Sequence, residues 1–93
     1  MAEFNIGGIQ GLTLFTPELY KDERGHNFES YDSLKFKEEI SSNQHLQNCF
    51  KDKKFVLDTF SKSRWPVFRG LHGDNKTWKL ISCLYGKIYL VVV

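Results

Sequence analysis

The sequence predicts an all-β chain, an antiparallel sandwich or barrel with one short helix, and three observations point there. Runs rich in β-branched and aromatic residues recur at short intervals in the second half: Phe55–Ser61, Val67–His72, Thr77–Tyr85 and Lys87–Val93. Turn formers separate them, namely Pro66, the Asp74-Asn75 pair and Gly86. Only one segment combines a helix start signal with helix-forming residues. A jelly roll, an OB-fold and comparable small barrels all satisfy this pattern.

In chain order, Leu12–Thr16 ("LTLFT") reads as a short strand after two glycine-containing turns, and His26–Tyr31 ("HNFESY") as another after Gly25. Asp32 then caps a helix over Ser33–Ile40, in which charged residues separate the apolar Leu34 and Ile40. Ser41–Lys54 is polar and uneven, either a loop or a frayed second helical turn. In the strand expected over Thr77–Tyr85, Thr77, Lys79, Ile81 and Cys83 share one face, and Trp78, Leu80, Ser82 and Leu84 the other. Lys79 therefore either snorkels to solvent at the strand end or points into a partly enclosed lumen. Lys87–Val93 is expected to pair with Thr77–Tyr85 across Gly86, and the aromatic residues to pack the core.

At 93 residues the chain makes a single domain, residues 1–93, which buries only about two-thirds of its unfolded surface, so a partner chain is expected. The apolar run Leu90–Val93 is far too short to span a bilayer, and no secretory signal is readable, which makes the cytoplasm the expected compartment. Cys49 and Cys83 lack the spacing of a zinc or redox motif and read as free thiols. His26, His45 and His72 form no His-x-His pair, so no metal site is expected. A net charge of +2 does not argue for nucleic acid. A nucleic-acid-binding barrel would alternate aromatics and cations on one exposed face, whereas Trp78 shares its face with Leu80 and Leu84.

The densest chemistry lies in "RGLHGDNKTWKL", Arg69–Leu80, which crowds a guanidinium, an imidazole and two ammonium groups between apolar runs. Arg69 and His72 fall on opposite faces of a regular pleat, and Gly70 offers a bulge that would bring them together. Three segments, "DERGHNFESY", "FVLDTFSKSRWPVFRGLH" and "KLISCLYGKIYLVVV", in that order over Tyr20–Val93, resemble the first half of the dTDP-4-dehydrorhamnose 3,5-epimerase family. The resemblance implies an incomplete cupin-type jelly roll and an isomerase that inverts centres next to the C4 ketone of a nucleotide-diphosphate sugar, with no cofactor and no metal. It implies His72 as general base, Lys79 as stabiliser of the enolate at C4, and Arg69 as a ligand of the sugar or diphosphate. Arg24 and Glu29 match positions that contact the nucleotide, reaching into the neighbouring subunit's site, so a homodimer is implied as well.

Some positions depart from the family pattern. Members that use thymidine usually carry an aromatic residue where Asn27 stands, and glutamine and asparagine where Leu57 and Thr59 stand. "RGLHGDNKTWKL" looks closest to a branch acting on GDP-linked 4-keto sugars, including heptoses. The family's tyrosine acid and the aspartate that pairs with the catalytic histidine belong to the second half of its fold; Tyr85 and Tyr89 do not match that tyrosine. The chain is therefore expected to be a fragment of a longer epimerase, or a truncated relative that binds sugar nucleotides without catalysis.

Overall fold

Regular secondary structure ends at Cys49 in the computed structural model, which describes residues 1–93. The chain divides into two units, Met1–Lys53 and Lys54–Val93.

The first unit begins with β1 (Ala2–Phe4) and β2 (Thr13–Phe15), paired antiparallel with Ala2 opposite Phe15 and Phe4 opposite Thr13. Alternation divides the ladder: Ala2, Phe4, Thr13 and Phe15 are half-buried, while Glu3 and Leu14 face solvent. The connection carries a 3₁₀ turn, Ile6–Gly8, and is tied by the Asn5 side chain, whose Oδ1 accepts the Gly11 N–H at 2.9 Å. Gly11 is buried at φ 82°, a conformation that favours glycine, and a Cβ there would press on the His45 ring at 3.3 Å.

β3 (Tyr20–Asp22) and β4 (Gly25–Asn27) form a hairpin in which Asp22 pairs with Gly25 across Glu23 and Arg24, with Gly25 at φ 133°. Two helices follow. Asp32 Oδ1 accepts the N–H groups of Leu34 (2.8 Å) and Lys35 (3.1 Å) to start α1 (Ser33–Ile40), and Asn43 Oδ1 accepts that of Leu46 (3.1 Å) to start α2 (Gln44–Cys49). Ile40 and Leu46 are buried at 4% and 3% exposure. Beside them the Phe36 ring lies 5.5 Å from Phe15, 6.0 Å from Tyr31 and 5.1 Å, edge-on, from Phe50. α1 thus turns Phe36 and Ile40, four apart, inward and leaves Leu34 73% exposed.

The expected antiparallel pairing is present as two two-stranded sheets, and no barrel closes. The strand expected over His26–Tyr31 stops at Asn27 because its partner β3 is only three residues long. Ser41–Lys54 contains a helix, which makes two helices where one was expected. The larger correction concerns Phe55–Ser61, Val67–His72, Thr77–Tyr85 and Lys87–Val93, none of which enters a ladder. Their residues fit a pleated, half-buried surface, but a strand exists only when its backbone groups meet a neighbour, and these runs do not pair with one another. Gly86 takes the positive φ of a turn, 79°, without a hairpin forming around it. No residue of this unit is buried: Trp65, Phe68, Tyr85 and Tyr89 are exposed, against the expectation that the aromatics fill a core, and Phe55 is half-buried.

Candidate active site

Arg24 and Glu29, the two candidate binding residues of the first unit, are each engaged by a neighbour. Arg24 occupies the hairpin turn, where the Asp22 carboxylate accepts its backbone N–H at 2.8 Å and its guanidinium at 2.5 and 3.1 Å. That bonding holds the Asp22 carboxyl below its usual range and raises Arg24 further. The guanidinium remains exposed on a shallow concavity that also involves Tyr20, His26 and Asn27. Glu29 accepts from the Lys35 ammonium at 2.7 Å, which raises the lysine. Any anionic ligand of Arg24 therefore competes with Asp22, in a solvent-exposed pair of small intrinsic strength.

The second unit carries Arg69, His72 and Lys79, all exposed. Arg69 donates from Nε at 3.0 Å and Nη2 at 2.8 Å to the single oxygen of Ser63. It lines a groove with Lys62, Ser63, Arg64 and Val67, three cations and no carboxylate, which suits a polyanion. His72 Nδ1 lies 2.9 Å from the Gly70 carbonyl oxygen. A carbonyl only accepts, so Nδ1 carries the proton and, in the neutral ring, the lone pair sits on Nε2. Gly70 makes no left-handed bulge; it contributes its carbonyl instead.

Seven residues after His72, Lys79 is exposed, and its ammonium makes no side-chain hydrogen bond or ion pair. Between them Asp74 accepts three hydrogen bonds, from the Lys76 N–H, the Thr77 N–H and the Thr77 hydroxyl. Those donors hold the Asp74 carboxyl below its usual range. No hydrogen bond links Arg69, His72 and Lys79 to one another; Arg69 and His72 are each fixed by local partners. The sequence marks Asp74 only as half of a turn-forming pair and assigns no part to Ser63. Asp74-x-x-Thr77 is a side-chain-closed turn signature that was open to inspection, whereas Ser63 meets Arg69 only through a chain path no spacing rule encodes.

An imidazole with a free ring nitrogen, an unpaired ammonium and a cationic groove are the parts needed to remove a weakly acidic proton from an anionic substrate. A family model described as dTDP-4-dehydrorhamnose 3,5-epimerase matches residues 7–93. The chain is 36% identical over 88 residues to the dTDP-4-dehydrorhamnose 3,5-epimerase of Salmonella typhimurium, covering 91% of this chain and 43% of that protein. It is 32% identical over 97 residues to that of Methanothermobacter thermautotrophicus, covering 100% of this chain and 47% of the relative. A Shigella flexneri protein of the same name is 32% identical over 88 residues, covering 91% of this chain and 44% of its own length. The chain thus spans a little under half the length of these relatives. No solved structure gives a significant match. No helix is long and apolar enough to cross a membrane. With the model match running through the arginine, histidine and lysine of Arg69–Lys79, the chain belongs to the dTDP-4-dehydrorhamnose 3,5-epimerase family.

Proposed function

We propose that the protein acts as a nucleotide-sugar 3,5-epimerase, inverting centres next to the C4 ketone through an enolate, without cofactor or metal. The observation that carries this reading is the His72 tautomer. With Nδ1–H bound to the Gly70 carbonyl, Nε2 presents its lone pair to solvent as a general base does. Nε2 takes the proton from C3 or C5, and the C–H electron pair moves into the new C=C bond as the carbonyl π pair moves to O4. The Lys79 ammonium stabilises that oxyanion, and return of a proton to the opposite face inverts the carbon. Arg69, in its cationic groove, holds the sugar or diphosphate, and Arg24 and Glu29 contact the nucleotide.

The same reading takes the runs from Phe55 to Val93 as strands of a jelly roll. In that fold, built from two Greek keys, many strands pair with partners distant in sequence, which accounts for runs that have strand composition without pairing with their neighbours. Side chains as exposed as Trp65 (94%), Phe68 (89%) and Tyr89 (95%) favour association as a homodimer in which Arg24 reaches the partner's site. Light scattering over a range of concentrations checks it: a dimer is expected, and a monodisperse monomer throughout rejects it. The same reading takes the cytoplasm as the compartment.

The decisive experiment is exchange of the C3 and C5 hydrogens of a nucleotide-linked 4-keto sugar with solvent deuterium, in the natural full-length protein. His72→Asn is expected to lower exchange by about 10² to 10⁴ and leave the fold intact. Lys79→Met is expected to slow it about a hundredfold or more. Wild-type exchange in His72→Asn removes His72 from the role, and binding without exchange in the wild type favours a non-catalytic sugar-nucleotide-binding relative. Running dTDP- and GDP-linked sugars in parallel decides the nucleotide, for which the relatives' names point to dTDP and Asn27 in place of an aromatic points away from it.

A further inference from the structure

Asp74 stands two residues after His72 and five before Lys79, and it is the one carboxylate between Arg69 and Leu80. An acid placed there has two available fates. Paired with Lys79, it would neutralise the ammonium and leave nothing for a developing oxyanion. The structure gives the other arrangement. Asp74 Oδ1 accepts the N–H groups of Lys76 and Thr77, both at 2.7 Å, and Oδ2 accepts the Thr77 hydroxyl at 3.0 Å. Three protons from its own turn occupy the carboxylate, and Lys79 carries no ion pair.

The same three bonds close the backbone between His72 and Lys79. A base and a cation that serve one substrate tolerate little slack between them, because about 1 Å of misplacement costs about 10² in rate. From this juxtaposition we infer that Asp74 is a positioning residue: bonded to the Lys76 and Thr77 N–H groups and the Thr77 hydroxyl, it sets the span from His72 to Lys79 and keeps the ammonium unpaired. The inference rests on the epimerase reading for the roles of His72 and Lys79; the closed turn stands without it.

The test uses Asp74→Ala, Asp74→Asn and Thr77→Val in the natural full-length protein, with deuterium exchange of the 4-keto sugar and amide hydrogen exchange at Thr77 as readouts. Asp74→Ala is expected to lower kcat for exchange about 10- to 100-fold with KM within about threefold of wild type. Asp74→Asn keeps an oxygen for the two N–H groups and is expected within about threefold of wild type. A wild-type kcat in Asp74→Ala overturns the inference. So does an equal loss in Asp74→Asn, since charge rather than the closed turn would then matter. Should Asp74→Ala fail to fold, Thr77→Val takes its place: a drop in kcat at constant KM supports positioning, and no drop overturns it. If the wild type exchanges neither C3 nor C5 hydrogen, the epimerase reading fails and the turn is judged alone. Thr77 amide exchange at least tenfold faster in Asp74→Ala then supports it, and an unchanged rate overturns it.

Discussion

The two units of this chain draw on similar residues and reach opposite outcomes. Met1–Lys53 contains every ladder, both helices and the buried pair Ile40 and Leu46, while Lys54–Val93 contains none of these yet is rich in strand-forming residues. What separates them is the reach of the interactions they need. Three sites in the first unit are closed by something nearby: Asp32 and Asn43 cap helices that begin at the next residue, and β3 meets β4 across a two-residue turn. The second unit has strong local bonds as well, at Asp74 and His72, but these shape turns. Strand composition by itself confers no partner.

The sharpest way to break the contrast is to truncate one leucine in each unit. Leu46→Ala removes a side chain 3% exposed and is expected to cost about 2–5 kcal/mol. In the same 93-residue chain, Leu57→Ala removes one that is 84% exposed and is expected to cost within about 0.5 kcal/mol. Denaturant melts of both variants read the difference. A Leu57→Ala loss comparable to that of Leu46→Ala means that Phe55–Ser61 is packed in solution, and the contrast between the units falls.

A smaller effect tests whether local closure is what distinguishes the first unit. Asp32→Ala and Asn43→Ala each remove a side-chain acceptor from a helix start, and each is expected to cost about 1 kcal/mol with a loss of helical circular dichroism. Asp32→Asn, which retains the acceptor, is expected to stay near wild type. If Asp32→Ala is neutral, α1 is held by Phe36 and Ile40 against their neighbours and its cap is incidental.

These magnitudes also mark what the sequence made legible. The Asp32-capped helix was readable because cap and helix formers are adjacent, and β2 because Leu12–Thr16 is short and bounded by glycine. β1 was not, since its three residues become a strand only by meeting β2. The same non-locality governs Phe55–Val93, where residue type suits a strand but does not supply its partner. In the candidate site, Arg69, His72 and Lys79 stood out because cations amid apolar runs are conspicuous. Their partners did not: a Gly70 carbonyl and a Ser63 hydroxyl are ordinary groups whose importance comes from geometry. The Arg24 pairing with Asp22 was missed because Arg24 sits in the turn beyond the strand register, where strand alternation does not say which side chains meet.

The smallest expected effect compares one aspartate from each unit. Asp22 and Asp74 are both held below the usual carboxylate value of 3.8, by different causes: Asp22 chiefly by the Arg24 guanidinium, Asp74 chiefly by the Lys76 N–H and the Thr77 hydroxyl and N–H, with a smaller contribution from the charge of Lys79. A depressed carboxyl contributes stability that is fully present above its unfolded value and lost as pH falls through the folded one. Both turns should therefore stay closed at neutral pH and loosen only below about pH 4. Salt separates the two causes, since it screens an exposed guanidinium–carboxylate pair and leaves neutral N–H donors largely untouched. In an NMR titration of the side-chain carboxyl carbons, both midpoints should lie below 3.8 at low salt. Raising the salt toward 1 M should move Asp22 upward more than Asp74, and Arg24→Met should return Asp22 toward 3.8 without moving Asp74. Equal salt shifts at both sites would mean that the charge of Lys79, rather than its own turn, is the main cause holding Asp74, and the ammonium would then no longer count as unpaired.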